Sequence, residues 1–269
     1  MSRLSPRSMG LFVIALALVV FQTSTSATHS WGGYHWARQT NPVTIQVGDN
    51  VTSAWDAHLT LAASDWDAEP SGWSPQYLDD INPVVVAGAA NPRNCRPTSG
   101  TVQVCNASYG NNGWLGVAQI WVSGLHIVQG TVKLNDYYFN NYAPYNGPNK
   151  EAWKQMVVCQ EVGHTWGLDH QDETFNNTNL GTCMDYTNNV LGPPDNEHPN
   201  LHDYEELSII YQHLDSTTTA KLSPAAAGAV LESPSQWGQL MKVSHGGKTQ
   251  IFERDFGNGE KVITFVIWA

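Results

Sequence analysis

Residues 159–172 read CQEVGHTWGLDHQD, and Gln160, Glu161, His164 and His170 within them have side chains suited to holding and using a metal ion. Two imidazoles and a carboxylate at this spacing are hard to account for otherwise. On a helix, Gln160 and His164 share a face, because four steps of about 100° return to within roughly 40° of the start. Glu161 projects beside them, where a carboxylate can take a proton from a water activated by the metal without ligating the ion itself. Gly167 suits a left-handed helix end, after which the chain turns and brings His170 back from a loop.

Downstream, the stretch GTCMDYTNN places Met184 a short loop after His170 and Tyr186 two residues later. With Gly167, these residues resemble the metzincin zinc-protease signature, read here as QExxHxxGxxH followed by a Met-turn. In that clan a methionine floors the three zinc ligands, which implies that role for Met184. In the astacin and serralysin branches a Met-x-Tyr brings a tyrosine hydroxyl near the metal, which implies it for Tyr186. The layout without accessory modules is matrixin-like. The resemblance spans roughly residues 34–214, with its specific motifs confined to 159–186.

The signature has histidine where this chain has Gln160. A glutamine amide oxygen is a weaker donor to zinc than imidazole, so affinity should fall. Three readings stay open. Gln160 ligates and the site works as a hydrolase; His164 and His170 hold metal with water, or hold none, on a fold used for binding; or His198 or His202 replaces the missing ligand.

Cys159, one step from Gln160, points about 100° away from it and does not substitute as a ligand. A bridge from Cys159 to Cys183 would instead fasten the active-site helix to the Met-turn. Cys95 and Cys105 suit a small second bridge. Four cysteines allow three pairings, and this one follows from layout; the alternative of four free thiols does not suit an exported chain.

Arg3 and Arg7, the apolar run 11–21 and the small-residue ending Thr25-Ser26-Ala27 read as a secretory signal peptide over residues 1–27. Its apolar core is too short for a lasting membrane anchor, which needs about 20 residues. The expected product is secreted, extracellular and monomeric. Losing two of the 13 basic residues against 24 acidic ones leaves a net charge of about −13. That balance, with no basic run, argues against nucleic acid as a partner. The Asp and Asn content is compatible with calcium, but no EF-hand loop is present. Asn50, Asn106 and Asn176 begin glycosylation sequons, meaningful only if the host glycosylates.

The elements that must position the motif are readable in outline. Residues 42–47 alternate as a strand, residues 51–67 carry apolar side chains at helical spacing, and short strands follow at 83–87, 102–105, 117–122 and 130–134. The stretch 116–122 is the expected upper edge of a cleft, to which an extended substrate adds as a strand; an ordinary internal strand is the alternative. The active-site helix is expected over 149–166, and a helix capped by Asn200 over 201–214. Most of the 11 tryptophans are expected in the core. No cysteine precedes Cys95, so control by a cysteine-based latency segment is not expected.

The expected fold class is α+β: a metzincin-like twisted mixed β-sheet with an active-site helix, a Met-turn and a C-terminal helix. The catalytic domain is expected over 28–214, a linker over 215–234 and a β-hairpin over 235–269 that packs back on the main domain. The implied activity is zinc-dependent endopeptidase cleavage of an extended polypeptide. Gln160, His164 and His170 would hold zinc, Glu161 would act as general base and Tyr186 would stabilise the oxyanion. The alternative is a catalytically inactive binding or inhibitory protein on the same scaffold.

Overall fold

The structure is a computed structural model that describes residues 29–67, 80–244 and 246–269. The expected signal peptide lies outside them. In chain order the strands are β1 (His35–Trp36), β2 (Val43–Asn50), β3 (Ile81–Ala87), β4 (Thr101–Ala107), β5 (Trp114–Ser123), β6 (His126–Asn135), β7 (Gln239–Val243), β8 (Thr249–Gly257) and β9 (Glu260–Trp268). The helices are α1 (Asp56–Asp67), α2 (Asp136–Asn141), α3 (Lys150–His164), α4 (Leu201–Ile210) and α5 (Pro224–Ala227).

All nine strands join one mixed sheet, in the order β3-β2-β4-β6-β5-β9-β8-β7, with β1 also paired to β6. The pairs among β1, β2, β3, β4 and β6 are parallel, and β5 turns antiparallel to β6. β9 then pairs antiparallel with the other side of β5, from Trp114↔Trp268 to Ser123↔Glu260. The fold is therefore α+β on a mixed sheet. Among the described residues no helix is long and apolar enough to cross a membrane.

Alternation along the strands builds two cores. On one face Leu115, Ala118 and Ile120 of β5 join Ile263, Phe265 and Ile267 of β9 under Leu59, Ala62 and Trp66 of α1 and Met156, Val157 and Val162 of α3. On the other face Trp114, Val117 and Trp121 meet Val262 and Val266, covered by Leu231 and Trp237. Trp55, Trp66, Trp121, Trp166 and Trp237 are among the largest fully buried side chains. The expected linker over 215–234 holds α5, a 3-10 turn follows at Pro234–Gln236, and the segment after it supplies three strands rather than the two of a lone hairpin. The β8–β9 hairpin turns at Gly257, Asn258 and Gly259, all at positive φ.

Element ends moved where tertiary contacts intervene. α1 begins at Asp56 rather than residue 51, because Val51 and Thr52 spend their amide N–H groups on the side chains of Asp49 and Asn106. α4 has a capping box between Asn200 and Asp203 and stops at Ile210, short of residue 214. Beyond it, the Tyr211 hydroxyl donates to the Trp166 carbonyl, and the Asp215 amide donates to the Arg38 carbonyl. Of the three sequon asparagines, Asn50 and Asn106 are buried in side-chain hydrogen bonds and Asn176 is exposed.

Two disulfides are present, Cys95–Cys105 and Cys159–Cys183, and no cysteine is free. They suit an oxidising compartment. The second spans 24 residues and joins α3 to the segment before Met184. Replacing Cys159 and Cys183 together by alanine is expected to cost about 3 kcal/mol through the freed unfolded chain, measured by urea unfolding.

Candidate active site

α3 is buried along its length from Ala152 to His164, so its last turns carry polar side chains into the core. Gln160, Glu161 and His164 are each 0 % exposed. Glu161 lies against β5 at Gly116, where an added Cβ would stand 2.4 Å from Glu161 Oε1. Only glycine leaves room for the carboxyl group there. Neither Glu161 oxygen completes a hydrogen bond. Burial therefore pushes its pKa well above the ordinary carboxylate range, opposed only by the nearby backbone amide of Ala118.

His164 Nδ1 lies 2.9 Å from the Leu168 carbonyl, which can only accept, so the proton sits on Nδ1 and the Nε2 lone pair is free. Burial, reinforced by repulsion from His170, lowers the His164 pKa to about 3. The imidazole is thus neutral and ready to ligate.

Gly167 makes the turn that returns His170: its φ is +101°, and an added Cβ would stand 2.0 Å from the Tyr34 carbonyl oxygen. The His164 and His170 ring centroids are then 4.6 Å apart. His170 Nδ1 faces Glu173 Oε1 at 3.2 Å and Asp169 Oδ1 at 3.4 Å, and Nε2 has no partner. Burial disfavours a charge on His170, but these two carboxylates outweigh it and raise its pKa.

Met184 Sδ lies under the helix beside Gly163, where an added Cβ would approach it to 2.6 Å. Tyr186 is buried, its hydroxyl donating to the Trp268 carbonyl at 2.7 Å and its ring stacked on Phe175. Burial holds the phenol well above its ordinary pKa. Both amide atoms of Gln160 are also without partners. Gln160 Oε1, His164 Nε2 and His170 Nε2 are therefore buried polar atoms left without partners, with a carboxyl group that completes no hydrogen bond next along the helix. Natural interiors rarely tolerate this without an ion or a water among the groups. The donor set fits zinc.

His198 and His202 do not join the site. His198 Nδ1 binds Asp65 Oδ2 at 2.7 Å, and His202 packs on His29 with ring centroids 4.9 Å apart.

The expectation of a free edge at residues 116–122 is not met. β5 is internal, because β9 occupies its outer side along its length. Phe265 of β9 stacks on His164, centroids 4.4 Å apart and planes within 7°. Lys242 of β7 binds Asp169 at 2.6 Å and Glu173 at 3.3 Å. Gly116 carried a legible signal, since a glycine inside a strand pattern marks a close approach. Phe265, Lys242 and Trp268 carried none, because the pairing that brings them here is remote in sequence.

No protein-family model matches the chain, and no curated protein is significantly similar to it.

A buried carboxyl group without partners costs folding stability. With metal chelated, Glu161→Met is expected to raise unfolding stability by about 1–3 kcal/mol in urea titrations.

Proposed function

We propose that the chain is a secreted zinc-dependent endopeptidase of metzincin type, kept latent by its own C-terminal strand. The observation that carries this reading is that Gln160 Oε1, His164 Nε2 and His170 Nε2 are all buried without partners, with the two imidazole rings 4.6 Å apart and the Glu161 carboxyl group next along the helix. These three side chains would hold the ion. Zinc, when bound, supplies Lewis acidity that polarises a peptide carbonyl and lowers the pKa of water toward neutrality.

The chain's own groups do the rest. Glu161 takes the proton of the attacking water and hands it to the leaving amine, a transfer helped by the dry pocket that already favours its protonated form. Tyr186 would take the oxyanion role once its hydroxyl is released from the Trp268 carbonyl. The β5 backbone groups now paired to Ile263, Phe265 and Ile267 are those an extended polypeptide would use. Access for substrate therefore requires β9 to leave.

A second reading, a binding or inhibitory protein on the same scaffold, is favoured by Gln160 itself, the weaker ligand. Zinc analysis and casein digestion on the mature protein and on Gln160→His separate the two. An endopeptidase holds zinc and gives chelator-sensitive hydrolysis; a retired site gives none in the native chain.

Glu161→Ala is expected to lower hydrolysis by about 10²-fold or more while metal content stays unchanged. Latency is tested separately. Gln119 and Thr264 are register partners whose side chains bond at 3.0 Å. A Gln119→Cys/Thr264→Cys bridge should silence hydrolysis, and Phe265→Ala should raise it several-fold. Equal activity in locked and unlocked forms would remove the gate from the reading.

A further inference from the structure

A second group of potential ligands lies outside the candidate active site. His35 of β1 stands in register with His126 at the start of β6. His213 and Asp215 come from the chain just beyond α4. The Nε2 atoms of His126, His35 and His213 lie 3.1, 3.5 and 3.5 Å from the same oxygen, Asp215 Oδ1. The His35 ring centroid is 5.0 Å from that of His126 and 4.8 Å from that of His213.

Local bonds aim these atoms inward. His35 Nδ1 sits 2.9 Å from the Gly33 carbonyl, which only accepts, so Nδ1 carries the proton. Its Nε2 is buried without a hydrogen-bond partner and directs a lone pair at a carboxylate oxygen. Two electron-rich atoms held face to face repel unless a cation stands between them. Asp215 Oδ2 is engaged by the Arg38 backbone N–H at 2.9 Å, leaving Oδ1 for the three imidazoles. The Arg38 guanidinium turns away to Asp80 at 3.3 Å, although its Nε reaches the His213 carbonyl at 3.4 Å. The spacing suits three of them: His35, His126 and Asp215 each offer a ligand atom within 4.8 Å of the other two, a separation an ion can draw together, while His213 stands outside that set.

We propose that His35, His126 and Asp215 form a structural zinc site, which His213, on its exposed side, completes by turning inward. Two imidazoles and one carboxylate suit a borderline cation, and a third imidazole from His213 would close the tetrahedral set and leave no position for a reactant. The ion would clamp β1, the β5–β6 turn and the chain leaving α4 at one point. His213 and His126 are the exposed side, with side-chain exposures of 51 % and 28 %, through which the ion enters. The proposal does not depend on the enzymatic reading, since it uses none of the same residues.

The test uses the mature full-length chain, stripped with chelator and titrated with cobalt(II), whose visible absorption reports tetrahedral coordination. A His164→Ala/His170→Ala variant, which removes the candidate active site, should still take up one equivalent with tetrahedral absorption. Adding His126→Ala or Asp215→Asn should abolish that uptake, and with it a zinc-dependent rise in Tm of about 5–10 °C. Should the double variant not fold, metal content of the otherwise native chain decides, falling by one equivalent on His126→Ala at a half-open surface position. Unchanged stoichiometry in His126→Ala and Asp215→Asn, or no metal in the His164→Ala/His170→Ala variant, would mean that a proton and not a metal bridges the cluster.

Discussion

Polar side chains forced into the core at the end of α3 set the terms for their surroundings. Gln160, Glu161 and His164 cannot reach water, so neighbouring elements are shaped to fit them. β5 gives up a side chain at Gly116 to admit the carboxyl group, and α3 gives up one at Gly163 where Met184 and Trp66 press in. The backbone takes a left-handed turn at Gly167, close under the Tyr34 carbonyl, so that His170 meets His164. Each of these glycines answers a close approach, and each approach serves the same few atoms.

The closure by β9 is as substantial as the site it covers. Val262, Ile263, Phe265, Val266 and Ile267 are fully buried, split between the two faces of the sheet. At about 1.5–3 kcal/mol for each apolar side chain, withdrawing the strand costs on the order of 10 kcal/mol. This is comparable with the whole stability of an ordinary domain. On the proposed latency, thermal opening at that cost would leave only trace hydrolysis in the intact chain. Release therefore calls for covalent cutting in the residues before β7 or for a partner that takes over the exposed strand.

What could be read from the sequence was local. The spacing of Gln160, Glu161, His164 and His170 is a property of one helix and its exit turn, and alternating Val and Ile marked β2, β6 and β9 by period alone. The pairing of Cys159 with Cys183 followed from two neighbouring motifs. What stayed hidden was long-range pairing. Nothing in residues 260–268 says that they lie along residues 114–123, so the seal on the site and the Phe265 stack were illegible. His35, His126, His213 and Asp215 are likewise scattered over the chain, and each alone reads as an ordinary polar residue.

The Cys159–Cys183 bridge has a consequence beyond anchoring α3. It closes a covalent ring that contains Gln160, Glu161, His164 and His170, with Met184 just outside it. Unfolding cannot disperse those donors, because the ring keeps them at high local concentration, as a chelator does. The denatured chain would then retain part of its affinity for the ion. Metal linkage stabilises a fold only by the difference in affinity between the folded and unfolded states. With the proposed zinc bound, holding its ligands together in both states would narrow that difference and let the chain capture the ion before it has finished folding.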